Sequence, residues 1–200
     1  MAVINVPAGF SVAAQTWEQQ RMDIEFRSMF GAQAVEGSAP VWSTTITSSL
    51  KRPELWQVLM MQLRGRTNQV ALWNHGKPIP RGTMRGTMTA AATAQGATAM
   101  TVTASGQSGR TLLAGDYLGV GSGLTQQVVM LTADAVANGS GVIAVSFEPS
   151  LRNALAAGAV VTWDRPKAIF RRTDSKAAWE HSPGGIVKPM TLSLIEDWRP

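Results

Sequence analysis

The chain has 200 residues, 44% of them hydrophobic and only 16% charged, with a net charge of +5, seven Trp, one Tyr and no Cys. Ordinary globular domains carry about 25% charged residues, so this surface suits a subunit that lies against neighbours better than a freely diffusing enzyme. The absence of Cys excludes disulfides, thiolate zinc sites, iron–sulfur clusters and thiol nucleophiles.

From the N-terminus, Met1 to Phe10 has no basic flank and no apolar core, so no secretory signal is expected. Trp17 to Phe30 (WEQQRMDIEFRSMF) mixes Glu18, Asp23 and Glu25 with Arg21 and Arg27. It reads as a solvated face or strand edge rather than a catalytic acid pair. Val41 to Leu50 is β-branched and alternating, which predicts a strand. Pro53 to Leu63 reads as the one convincing helix. Pro53 suits its first position, Glu54 complements the positive end of the helix dipole, and Gly65 suits the C-terminal cap. Leu55, Trp56, Leu59, Met60 and Leu63 fall on one stripe at helical spacing. Gln69 to Trp73 resumes as strand, and Asn74 to Pro80 (NHGKPIP) is a loop.

Composition shifts near residue 85 towards Ala, Thr, Gly and Val. Thr98 to Ala104, Gln126 to Thr132, Val142 to Phe147 and Ala159 to Trp163 are short strands, with Asn138-Gly139-Ser140-Gly141 as a turn. That spacing predicts a small barrel or sandwich. After Pro166 the earlier manner returns, with strands at Lys167 to Arg172 and Pro189 to Asp197. In the last strand Met190, Leu192 and Leu194 share one face, opposite Thr191, Ser193 and Ile195. A terminal strand cannot bury a face alone. Residues 1–84 and 166–200 are therefore expected to form one β domain carrying the helix, interrupted by an inserted β module at 85–165.

No catalytic constellation emerges from this inventory. His75 and His181 each sit beside a Gly or Pro turn and read as loop residues, without the acid and nucleophile that a triad needs. No His pair stands at metal-ligand spacing. Gly119, Gly121 and Gly123 lack the Lys-Ser/Thr and the helix of a phosphate loop, and the Gln126-Gln127-Val128-Val129 that follows reads as strand. Asn138-Gly139-Ser140 matches a glycosylation pattern but reads as a turn, and no repeat near 40 residues makes Trp163-Asp164 or Asp197-Trp198 a propeller motif. Basic residues spread as eight in 1–84, four in 85–165 and six in 166–200, against five, four and four acids. That thin spread argues against specific nucleic-acid binding, which clusters cations against phosphates. No run of about 18 apolar residues predicts a membrane span. Trp17, Trp42, Trp56, Trp73, Trp163, Trp179 and Trp198 read first as core or subunit interface. A sugar-stacking platform is the alternative, with Trp73-Asn74-His75 and Trp163-Asp164 as its local candidates.

A family likeness accompanies these readings. Trp56 with Leu63-Arg64-Gly65-Arg66-Thr67-Asn68 and Leu72-Trp73 resembles the early part of tail-tip subunits of long non-contractile-tailed bacteriophages. Leu113-Ala114-Gly115-Asp116-Tyr117-Leu118, then Phe147-Glu148-Pro149-Ser150-Leu151-Arg152, is similar to a small β module of many virion proteins. Met190 to Trp198 (MTLSLIEDW) resembles the final strand of those subunits. The resemblance implies a distal tail protein: a virion structural subunit made in the host cytoplasm. Such a protein forms a ring, typically hexameric, between the tail tube and the tip or receptor-binding complex. Larger members carry a separate C-terminal carbohydrate-binding-like sandwich, whereas here the extra module is inserted.

The expectation is thus a mainly β fold, a β-sandwich or barrel domain with one α-helix and an inserted small barrel-like module. The expected function is that of a homo-oligomeric, non-enzymatic tail subunit contacting the tail tube and the tip or hub proteins. No catalytic residue, metal or cofactor is assigned, and the alternative is a carbohydrate-binding module for a host surface.

Overall fold

The structure, a computed structural model, describes residues 2–49, 51–183 and 186–197. The first strands are β1 (Val3–Asn5), β2 (Val12–Gln20), β3 (Asp23–Ser28), β4 (Gly31–Glu36) and β5 (Val41–Ser48), followed by α1 (Pro53–Leu63) and β6 (Gln69–Trp73). The middle of the chain supplies β7 (Met88–Ala90), β8 (Ala99–Ala104), β9 (Thr111–Leu112), β10 (Tyr117–Val120), β11 (Gln127–Leu131), β12 (Ala135–Val136), β13 (Val142–Glu148) and β14 (Ala159–Thr162). The chain closes with β15 (Lys167–Arg172), β16 (His181–Ser182), β17 (Ile186–Val187) and β18 (Thr191–Glu196). The fold is mainly β with one helix, as the sequence implies. Leu50 of the expected strand, and Trp198, lie outside the described residues.

Two sheets dominate. One is open and six-stranded, in the order β1-β6-β15-β18-β5-β2. Its ladders are antiparallel except for β1 beside β6. The other is a closed antiparallel barrel, β10-β11-β13-β8-β7-β14, drawn wholly from residues 88–162. A third element stands apart: β3 and β4 pair only with each other, as a two-stranded hairpin.

The open sheet owes its core to strict alternation. Trp42 and Ile46 of β5, Val70 and Leu72 of β6, Ala168 and Phe170 of β15, and Leu192 and Leu194 of β18 all enter one cluster. Helix α1 adds Trp56, Leu59, Met60 and Leu63 to the same cluster, the stripe read from its spacing. Tyr117 and Val128, from the barrel, complete it. The sheet also curls strongly. Gln15 of β2 accepts a hydrogen bond from the His75 backbone N–H (2.7 Å) and donates to the Trp73 carbonyl (3.4 Å). Those partners lie at and just beyond the end of β6, four ladders away in the sheet order.

The barrel has its own interior, including Met88, Val102, Leu118, Val129, Leu131, Ile143, Val145 and Phe147. Strands facing solvent on their outer side alternate in burial, as in β13. By contrast β10 is buried at all four positions and β11 at four of its five. Leu118, Val120, Val129 and Leu131 point into the barrel cluster, while Tyr117 and Val128 point into the sheet cluster.

Both crossings between the two parts are clamped. The Asp116 carboxylate accepts from the backbone N–H of Arg81 (2.8 Å), Gly82 (3.0 Å) and Leu113 (2.9 Å). Gly82 lies so close to Thr111 that a Cβ would stand 2.3 Å from its carbonyl oxygen, which leaves room only for glycine. The Arg85 guanidinium donates to the carbonyls of Pro80, Gly82 and Met84 and lies 4.9 Å from the Trp163 ring. On the return, Arg165 N–H donates to the Pro78 carbonyl (2.6 Å).

Leu59 is fully buried beneath the helix. Leu59→Ala should cost about 2–5 kcal/mol by leaving a cavity, and Leu59→Asp should cost more by burying an unpaired charge. Gln62→Lys, on the exposed face, should melt with the parent. Thermal melts followed by circular dichroism measure all three.

Candidate functional site

The residues weighed for chemistry are scattered. His75 is half-buried, tilted against Trp73 at 4.7 Å, with its ring nitrogen beside the Gln15 side-chain oxygen. Burial pushes its pKa below the ordinary imidazole value, against a smaller opposing effect of a backbone hydrogen bond at Trp73. It serves the clasp that curls the sheet. His181 is exposed on β16. Gly119 lies within β10, paired with Val128 and Thr162, while Gly121 and Gly123 join β10 to β11 through a turn and one 3-10 turn, Gly123–Thr125, between antiparallel strands. Asn138 closes its turn by accepting from Ser140 N–H and Val142 N–H. Among the described residues no cluster of three or more His, Cys, Asp or Glu is placed to hold a metal. No described helix is long and apolar enough to cross a membrane.

The tryptophans are mostly consumed by the fold. Trp42 and Trp56 are buried, and Trp17 packs among Trp42, Tyr117 and Phe170 at 5.4–6.2 Å. Trp73 lies under the cations of Arg165 (5.9 Å) and Lys167 (5.7 Å), and Trp163 under Arg85. Each candidate sugar platform thus has a cation over its ring, and Trp179, outside both, is exposed.

What the structure does expose is the hairpin of β3 and β4. Ribbon β2/β5 pairs out to Gln20↔Val41, and β3/β4 resumes at Asp23↔Glu36, so the hairpin continues that ribbon beyond the sheet. At about 3.4 Å per residue, its six-residue strands reach roughly 20 Å outward. At the root Gly37 N–H donates to the Met22 carbonyl, and a Cβ at Gly37 would press within 2.8 Å of that oxygen. The arm is amphipathic. Cross-strand partners Ile24↔Val35 and Phe26↔Gln33 share one face. Asp23, Glu25, Arg27 and Glu36 line the other. Charges there are neutralised locally, Arg27 by Glu25 (2.8 Å) and Arg21 by Asp23 (3.9 Å) and Glu36 (3.7 Å). The apolar face has no cover: Ile24 is 52% exposed, Phe26 60%, and the tip residues Met29 and Phe30 88% and 92%.

The expectation of a solvated edge here covered the charges but not this face. Its signal was present in Asp23-Ile24-Glu25-Phe26-Arg27, where apolar and charged residues alternate. A strand that alternates so strictly ordinarily has a core beneath it, and exposed apolar surface of this size marks an interaction site.

At the arm's root lies a crevice of about 420 Å³, lined by Gln20, Met22, Ala39, Val41, Arg171 and Ile195, with Glu196 and Asp197 behind. Those acids are buried. Glu196 accepts from the Trp42 backbone N–H (2.9 Å) and pairs with Arg152 of the barrel. Desolvation raises its pKa, and Arg152 opposes the shift. Asp197 receives the Gln69 amide at 3.0 Å and lies 3.8 Å from Arg171. Beside them the Trp42 indole donates to the Val128 carbonyl at 2.7 Å. The arm thus springs from a seam where sheet and barrel are locked by polar contacts.

Compared with protein-family models and with curated proteins, the chain matches none.

The seam predicts a linked pair of outcomes. Arg152→Met leaves the Glu196 charge buried without its main partner and should cost about 3–5 kcal/mol, much of it recovered in the Arg152→Met/Glu196→Gln double variant. Because the folded state raises the Glu196 pKa, its stability contribution is full below the ordinary carboxylate value and is lost as pH rises through the raised value. Glu196→Gln should flatten that decline, as urea unfolding at a series of pH values will show.

Proposed function

We propose that this chain is a structural subunit of the tail of a long-tailed bacteriophage. In this reading it is the distal tail protein, ringing the junction between tail tube and tip or receptor-binding complex. The observation that carries the assembly part is the projecting arm, an amphipathic ribbon whose apolar face the chain itself leaves uncovered. The sheet adds open edges: β2, nine residues long, and β1 each pair on one side only among the described residues. Open edges accept neighbouring strands. The low charge content supports the same reading, since a subunit enclosed by neighbours needs less charged surface. The place in the tail comes from the likeness of Trp56 with Leu63 to Asn68 and Leu72-Trp73, and of Met190 to Trp198, to such subunits, while Leu113 to Leu118 and Phe147 to Arg152 resemble a β module of many virion proteins.

A closed ring follows from one heterologous contact repeated by rotation. Stable contacts of this class bury about 1,200–2,000 Å² in total, and the arm with a sheet edge offers surface on that scale. The carbohydrate-binding alternative has less support: cations lie over Trp73 and Trp163, and the exposed ring among the described tryptophans is Trp179.

Electron microscopy of the intact particle, with the chain located by a specific antibody, tests the proposal. The expected result is a ring of copies at the junction of tube and tip. A single copy per particle, or none, overturns it.

A further inference from the structure

The arm's apolar face and its root crevice lie at opposite ends of one ribbon, roughly 20 Å apart. A stiff two-stranded ribbon of this length cannot fold its tip back into its own root. Yet the two surfaces are matched in kind. The tip offers Met29 and Phe30, both almost fully exposed, with Ile24, Phe26 and Val35 along the face behind them. The crevice offers the apolar Met22, Ala39, Val41 and Ile195 beside the polar Gln20, Ser38, Arg171, Glu196 and Asp197, in a volume of about 420 Å³. That space accommodates an aromatic and a thioether side chain together.

We propose that the tip of the arm seats in the root crevice of a second copy of this chain, with the arm's apolar face lying along that copy. The proposal rests on the reading of the chain as a self-assembling subunit. Ile24, Phe26 and Val35 are 45–60% exposed and Met29 and Phe30 88% and 92%, a contiguous apolar surface of the kind that fills the core of a standard interface, to which each partner contributes ~800 Å². The occupant is another copy because every copy that presents a tip also presents a crevice, displaced from it along the ribbon. Tip-to-root contact is heterologous, so each subunit gives one arm and receives one, and rotation closes the series into a ring. An acidic or nucleic-acid partner does not fit, because the apolar face carries no charge and the arginines of the opposite face are already paired.

The chain contains no Cys, so introduced thiols report contacts without background. Purified full-length Phe30→Cys and Ala39→Cys are oxidised separately and as a mixture. The expected result is a disulfide dimer in the mixture and its absence from Ala39→Cys alone, with Phe30→Cys/Ala39→Cys giving a ladder of higher oligomers. Phe30→Ser, at an exposed position, should keep the parent melting temperature and lose self-association in light scattering. Dimers from Phe30→Cys alone in place of the mixed product would mean that arms pack tip to tip, and overturn the proposal. So would the absence of any crosslink in concentrated protein, or association unchanged by Phe30→Ser. Parent protein binding phosphatidylglycerol vesicles through Phe30, without crosslinks, would assign the tip to a lipid surface instead. The crosslinks decide the contact whatever particle microscopy shows, so failure of the tail assignment and failure of this contact are separate results.

Discussion

The structure depends on how one face of the curled sheet is kept from water. Trp42, Ile46, Val70, Leu72, Phe170, Leu192 and Leu194 form one apolar cluster on it. Each such side chain taken from water contributes about 1.5–3 kcal/mol, so leaving part of the face open would cost much of a domain's net stability. Helix α1 covers some of it. Tyr117 and Val128, on the outer side of the barrel, cover another part, and Val6, Phe10 and Val187 pack against it as well. The barrel is therefore a layer of the fold as well as a body with its own interior.

Most of the polar chemistry follows from that placement. Once barrel and sheet share a core, groups trapped at the seam must find partners. Trp42 reaches the Val128 carbonyl, Gln127 joins Ser150 and Arg152, and Arg152 meets Glu196. The two chain crossings are held by Asp116, Arg85 and the bond from Arg165 to Pro78, so the barrel is fixed by its linkers as well as by its face. A buried ion pair is a weak source of net stability but a strong penalty when broken, which suits a seam that must hold one arrangement. The arm leaves the sheet beside this seam, at Ala39 and Val41.

Much of this was legible in the residues, and the failures have physical causes. Helix α1 matched its expected bounds because a proline start, an apolar stripe and a glycine stop all agreed. Strand β18 buries Leu192 and Leu194, as alternation requires. The short strands of the middle segment were readable, but not which of them would be buried on both sides. Gln127-Val128-Val129 carries no mark showing that Val128 faces the sheet and Val129 the barrel. The fate of the tryptophans was equally hidden, since a Trp beside Asn or Asp looks the same whether its face is open or capped by an arginine from 78 residues away, as Arg85 caps Trp163. The arm was missed because its ionic residues drew attention to the wrong face. For the barrel face and the tryptophans, distance in sequence separates what could be read from what could not; the arm's signal is local and lies on the face opposite its charges.

The arm is also where local and global demands disagree. A two-stranded ribbon is marginal in water by itself, and this one turns Phe26, Met29 and Phe30 outward. Its cohesion within one subunit comes from in-register pairing, the ion pairs of its polar face and the Gly37 bond at its root. None of these buries apolar surface. A sequence under pressure only to fold would replace Phe26 and Phe30 with polar residues at no loss, because neither touches a core. Their presence makes the lone subunit less soluble than it need be, a burden that the proposed assembly would offset by covering them. The low charge of the chain points the same way. With few charges to keep copies apart, an uncovered arm that found no specific seat would drive indiscriminate association. The proposed seat for each arm would remove that hazard by using up the sticky surface in one repeated contact.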